Sequence, residues 1–181
     1  LSEGTPLTFS ATVADSQDQP NEIELEWVLN GSDILSTQGA SSSGTASFID
    51  STLGFGTYNL VVTATDTDGL TDFDQIGFTV NGLPSQPVVI ISPDPATTTQ
   101  SLQASIDLPS EDPEGNTVVY SYEWYRNNAL QGSQTASSIA ASDTAKGEIW
   151  KVRVIPSDGI ADGSAGEAEM VISNTAPSIS S

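Results

Sequence analysis

The chain has 181 residues, with 24 Asp/Glu against four Lys/Arg and a net charge of −20 at pH 7. A surface this negative repels phosphate backbones and anionic lipid, which excludes nucleic acid and membrane insertion and leaves divalent cations as favoured partners. Cysteine and histidine are both absent, so disulfides, thiolate chemistry and the usual zinc, copper and haem ligands are excluded as well.

Taken in chain order, the apolar residues alternate. Leu7, Phe9, Ala11 and Val13 share one face of a first run, and Ile23, Leu25, Trp27 and Leu29 one face of a second, whose other face carries Glu22, Glu24 and Glu26. Tyr58, Leu60, Val62 and Ala64 follow, then Ile76, Phe78 and Val80. A period of two, with one wet face, predicts antiparallel strands of a β-sandwich, whereas a helix needs apolar residues three and four apart. Turn-formers separate the runs: Asn30-Gly31, Gly54, Gly56 and Asp66-Thr67-Asp68-Gly69. Asn30-Gly31-Ser32 also fits a glycosylation acceptor, against the plainer reading as a turn.

The order then repeats. Leu102, Ala104 and Ile106 predict a strand, as do Val118, Tyr120, Tyr122 and Trp124, then Trp150, Val152 and Val154, and last Ala168, Met170 and Ile172. Glu26-Trp27 recurs as Glu123-Trp124, 97 residues on, and Asn81 and Pro84 recur as Asn174 and Pro177, 93 on. The fold class is therefore all-β, two tandem immunoglobulin-like antiparallel sandwiches joined by a short proline-containing linker. The modules are expected at 1–82 and 88–174, with linkers at 83–87 and from 175 to 181. Proline restricts itself and its predecessor, so the linker is read as semi-rigid and the pair as rod-like. Trp27 and Trp124 are expected to fill the cores, and Tyr58 to form a tyrosine corner whose place Trp150 takes in the second module.

No stretch approaches the ~18 apolar residues of a membrane span, and no leader is visible. The start at Leu1 and the linker-like end are read as those of a piece cut from a larger extracellular protein.

Chemistry has few places to sit. A Ser–Lys pair could draw only on Lys146 or Lys151, and Lys151 lies on a strand between Trp150 and Val152, facing solvent. Paired carboxylates for glycoside hydrolysis need a cleft that a small sandwich does not offer. No enzymatic activity is expected. Calcium is the strongest chemical expectation, since it takes six to eight oxygen ligands from several loops. In the first module Asp15 and Asp18 face Asp66, Asp68 and Asp72 across two loops at one pole, with Glu3 entering nearby. In the second, Glu111, Asp112, Glu114 and Asn116 face Asp158 and Asp162 where the linker arrives. Against this stands the preference of tight turns for Asp and Gly with no metal at all.

The segments EGTP, FSATVADSQDQPNEIELEW and GTYNLVVTATDTDGLTD resemble the PKD/immunoglobulin-like repeats of bacterial surface and secreted proteins. The second half resembles their companion repeats, in ISP, DPEGN, YSYEWYRN, TAKGEIW and PSDGIADG, ending in N-x-x-P. The resemblance implies a non-catalytic spacer or adhesion pair, stiffened by calcium in the manner of cadherin-like rods. Its partners would be neighbouring modules of the same chain, and another surface protein or a glycan. The alternative is a carbohydrate-binding accessory of a secreted enzyme, for which Tyr125 is the one exposed ring among Tyr120, Tyr122 and Trp124.

Overall fold

Alternation along each run becomes strand and nothing else of length. The computed structural model describes residues 1–177, and the chain divides into two units, Leu1–Gly82 and a second from Leu83 onward. Residues 178–181 of the expected final linker lie outside the described residues.

Unit 1 contains β1 (Leu7–Thr12), β2 (Glu24–Leu29), β3 (Asp33–Gly39), β4 (Thr45–Asp50), β5 (Gly56–Thr65) and β6 (Thr71–Val80). β1 and β4 pair as one sheet, and the other has the order β3-β2-β5-β6, all antiparallel. Leu25, Trp27, Leu29 and Leu60 are buried between them. Aromatic rings join the two sheets: Phe48 meets Trp27 edge-on at 5.2 Å, and Phe9 meets Phe78 at 5.4 Å. The Tyr58 hydroxyl donates to Gly54 O at 3.0 Å, which makes the expected tyrosine corner.

Unit 2 contains β7 (Val88–Ser92), β8 (Leu102–Leu108), β9 (Val119–Arg126), β10 (Ala129–Leu130), β11 (Ser138–Ile139), β12 (Ile149–Ser157) and β13 (Gly166–Val171). Its sheets run β11-β8-β7 and β10-β9-β12-β13. Val89, Ile91 and Leu102 from the first pack on Trp124, Trp150, Val152 and Met170 from the second. The two indoles meet edge-on at 6.2 Å, and both find acceptors: Trp124 Nε1–H donates to Ala136 O and Trp150 Nε1–H to Glu148 Oε2, each at 2.9 Å.

One repeated device escaped the sequence reading. Asn30 and Asn127, 97 residues apart like the two tryptophans, both sit at positive φ (50° and 49°) after the tryptophan strand. Each side chain then accepts from a backbone N–H of a following segment, Asn59 at 3.0 Å and Ile149 at 2.9 Å. Asparagine tolerates the left-handed conformation and carries the acceptor, so one residue makes the turn and ties it down. In the structure Asn30 is a turn residue with its Oδ1 engaged.

Residues 83–87, read as a short semi-rigid linker, group with the second unit. Ser85 N–H donates to Glu111 O at 2.9 Å, Glu111 N–H to Ser85 Oγ at 2.8 Å, and Gln86 Nε2 to Ala165 O at 2.6 Å. Pro84 and Pro87 are buried. Their stiff backbone runs so close that a Cβ on Gly163 would collide with Pro84 O, and one on Gly166 with Pro87 O. Proline signals restriction of the chain but not what it packs against, and here it packs on unit 2.

Candidate functional site

The acidic loops carry the calcium expectation, and each begins from an Asp that caps its own turn. At the pole of unit 1, Gln17 N–H and Asp18 N–H donate to Asp15 Oδ1 at 2.6 and 2.9 Å. These bonds, Asp18's foremost, hold the Asp15 carboxyl below the ordinary aspartate range, because they favour the anion. Asp18 reaches across to the other loop, accepting from Thr67 Oγ1 at 2.8 Å and Thr67 N–H at 3.3 Å. Asp66 Oδ1 accepts from Asp68 N–H at 2.9 Å and Leu70 N–H at 2.8 Å. The two loops thus meet, joined through Thr67. Asp68 lies exposed at the turn tip, and Asp72 is the second residue of the next strand.

Glu3 is not at this pole. Its N–H donates to Asn81 O at 2.9 Å, and Ser2 bridges Asn81 in parallel. That is the far end of the ten-residue strand β6, on the order of 30 Å from Asp72 at about 3.4 Å per residue. The expectation assumed that the N-terminal segment enters beside the loops; instead it pairs at the end of the last strand.

In unit 2 the same pattern holds with one difference. Asp112 Oδ1 accepts from Asn116 N–H at 2.8 Å and Glu114 N–H at 3.1 Å, while Gly115 N–H donates to Asp112 O at 3.0 Å. Gly115 sits at φ +80°, which closes the turn. Asp158 Oδ1 accepts from Ile160 and Ala161 N–H, both at 2.7 Å, and Asp162 bridges Ser157 in the same turn. Glu111 is exposed, tied to Ser85 by its backbone. The difference is at Asp112 Oδ2 and Ser110 Oγ, which are buried without a hydrogen-bond partner.

Five carboxylates at each pole do not make a cage. Among the described residues no group of three or more acidic side chains is placed to hold a metal ion. The reason is local: an Asp whose oxygen binds two amides of its own turn is aimed inward at backbone, not outward at a shared point.

The remaining candidates lie on the outer face of unit 2's larger sheet. Tyr125 is half-buried, its hydroxyl donating to Glu123 Oε2 at 3.0 Å and its ring covered by Lys151 Nζ at 5.1 Å. Lys151 also pairs with Glu167 at 3.5 Å, and Arg153 bridges Glu123 and Glu167 at 2.8 and 3.0 Å. The ring proposed as a sugar platform is therefore capped by a cation, and the lysine is engaged in an ion pair.

Neither a family model nor a curated protein matches the chain. Solved structures do resemble it. A fibronectin(III)-like module structure from CbhA of Clostridium thermocellum is 15% identical over 96% of this chain and 88% of that one, with a TM-score of 0.42. A Ca2+-stabilized adhesin of an Antarctic bacterium that binds ice is 18% identical over 96% of this chain and 45% of that one, at 0.48. A two-domain fibronectin type III segment of chicken tenascin is 16% identical over 94% and 95%, at 0.40. At these scores the likeness carries no functional weight. The immunoglobulin-like sandwich assignment stands on the chain's own strand order and cores.

Proposed function

We propose that the chain is a non-catalytic pair of structural or adhesion modules of an extracellular or cell-surface bacterial protein, of the PKD/immunoglobulin-like type, with module bounds at 1–82 and 88–174. The observation that carries this is how the polar side chains at the acidic poles are used. Asp15, Asp18, Asp66, Asp112 and Asp158 all accept from nearby backbone amides, and both cores are built of apolar and aromatic side chains. Residues so engaged build loops; they do not hold a substrate. The lack of histidine and cysteine supports the same reading, since the remaining nucleophiles have no ordinary base. Its partners are neighbouring modules of a longer chain and another surface protein. Binding to a glycan array would replace it with the carbohydrate-accessory reading.

Calcium belongs to this reading at one loop. Asp112 Oδ2 is a buried carboxylate oxygen with no donor, a costly state that a divalent cation relieves. Glu111, Glu114 and Asn116 are the adjacent oxygen donors on the same loop. Thermal unfolding in calcium and then in EGTA tests it. The midpoint of unit 2 is expected to rise with calcium, Asp112→Asn is expected to abolish the rise, and unit 1 is expected not to respond. An unchanged midpoint in the parent protein removes the metal.

A further inference from the structure

The last strands of the two units are built in opposite senses. On β13 the core-facing row is Gly166, Ala168 and Met170, opposite Val154, Val152 and Trp150. The outward row holds Glu167 and Glu169, with Glu167 bound to Lys151 and Arg153. On β6 the core-facing row begins with acids: Asp72 pairs with Ala64, Asp74 with Val62, and only then Ile76 with Leu60 and Phe78 with Tyr58. Phe73, on the outward row, is 66% exposed.

The seam beside each strand differs in the same way. In unit 2, β7 lies against β13 and covers it. In unit 1 the corresponding seam, between β1 and β6, is closed at the level of Phe9 and Phe78 and then opens. The opening is a cavity of about 380 Å³ with Trp27, Leu60 and Val62 in its floor and Asp72, Asp74 and Ile76 on its β6 wall. It shares Val13, Ala64 and Asp72 with a second cavity of about 420 Å³ that reaches Asp15 and Asp66. Trp27 is 3% exposed, and its indole N–H is buried without an acceptor. The equivalent indole in unit 2 has one.

We propose that this seam is a docking groove for an extended segment of a partner protein that carries Lys or Arg and then apolar side chains at every second position, on one face, and adds as a strand to the free edge of β6. Three observations fix the chemistry. The outer edge of β6 has no strand beside it in the sheet order, and such an edge presents backbone donors and acceptors to an incoming chain. The floor is apolar, with Trp27, Leu60 and Val62 in it. The rim is anionic, and unit 1, with twelve Asp/Glu, contains no Lys or Arg to neutralise it. A cationic residue set opposite Asp72 and Asp74, followed by apolar ones at the level of Ile76, matches the row in order. The same carboxylates disfavour a second copy of this chain, whose net charge is −20. The proposal concerns a partner and stands whether or not the pair also serves as a spacer.

The probe is an end-capped peptide of about eight residues, a typical strand length, whose one face carries Lys, Lys, Val and Val in turn and whose other face carries Ser (the Lys–Val peptide), with Glu in place of Lys as control (the Glu–Val peptide). Added to the whole chain at low salt, the Lys–Val peptide is expected to bind one to one and to slow amide hydrogen exchange across 71–77. The Glu–Val peptide is expected not to bind. Asp72→Asn with Asp74→Asn, both at exposed positions, should weaken binding about ten-fold and flatten its salt dependence. Glu24→Gln with Glu26→Gln, on the outer face of β2, should leave it unchanged; circular dichroism establishes that both doubles are folded. Absence of binding overturns the proposal. Equal weakening by the two doubles reduces the effect to general attraction and overturns it too. So does protein that dimerises through β6 in the ultracentrifuge, which would assign the seam to a second copy.

Discussion

Unit 1 and unit 2 share their strand pairing around a central tryptophan, yet they finish their cores differently. In unit 2 the residues before β7 press two proline carbonyls onto glycines 163 and 166, and both indole N–H groups are bonded. In unit 1 the N-terminal segment makes one bridge to the end of β6, and the middle of the seam is open over an indole with no acceptor. The same repeat thus yields a sealed sandwich and an unsealed one. What separates them is which side chains stand on the last strand and whether a neighbouring segment lies over it.

The largest effects that probe this difference sit at the tryptophans. Trp124→Ala removes a fully buried ring and is expected to cost unit 2 about 3–5 kcal/mol, measured by denaturant unfolding. Replacement by Phe sharpens the contrast. Trp124→Phe also loses the bond to Ala136 O, about 1 kcal/mol more than the ring alone, whereas Trp27→Phe has no such bond to lose. Equal costs for the two would mean the cores are finished alike.

Next come the glycines of the last strands. Gly166→Ala drives a methyl into Pro87 O and should cost about 1–3 kcal/mol. Gly77→Ala, whose methyl would meet Tyr58 O at 3.9 Å, should be neutral or stabilise by up to about 1 kcal/mol. Calorimetry that resolves the two units' transitions distinguishes these outcomes. A smaller, matched pair is Asp112→Ala and Asp66→Ala. Each strips two amides of their acceptor, so each should destabilise its own unit by about 1 kcal/mol. A much larger loss at Asp112 alone would point to a further role for its second oxygen.

The smallest effect is electrostatic. With its folded pKa depressed by the Asp18 and Gln17 amides, Asp15 favours the native state as an anion. That contribution is complete above the unfolded pKa and is lost as pH falls through the folded one. Carboxyl NMR titration should place the Asp15 midpoint below the ordinary aspartate value. A midpoint at the ordinary value would remove the Asx turn from solution.

The strands were legible because burial on one face writes itself into every second residue. Trp27, Leu25 and Leu60 needed no coordinates to be placed inside, and the 97-residue echo of Glu-Trp announced two modules. The acidic loops were legible as loops but not as ligands or caps. Asp favours a turn in either role, and only the bond from Asn116 N–H to Asp112 Oδ1 shows that this oxygen caps the turn. Glu3 was misplaced because the pairing partner of a short terminal segment lies 78 residues away at Asn81, beyond any local pattern.

Alternation, turn chemistry and repetition are properties of neighbours in the chain, so the amino-acid order alone determined an all-β pair with tryptophan cores and acidic poles. Whether a seam closes, which carbonyl an indole finds and where a proline segment lies depend on contacts between residues distant in sequence. Those were decided only when the sheets packed, since no side chain carries a local mark of the partner it will meet.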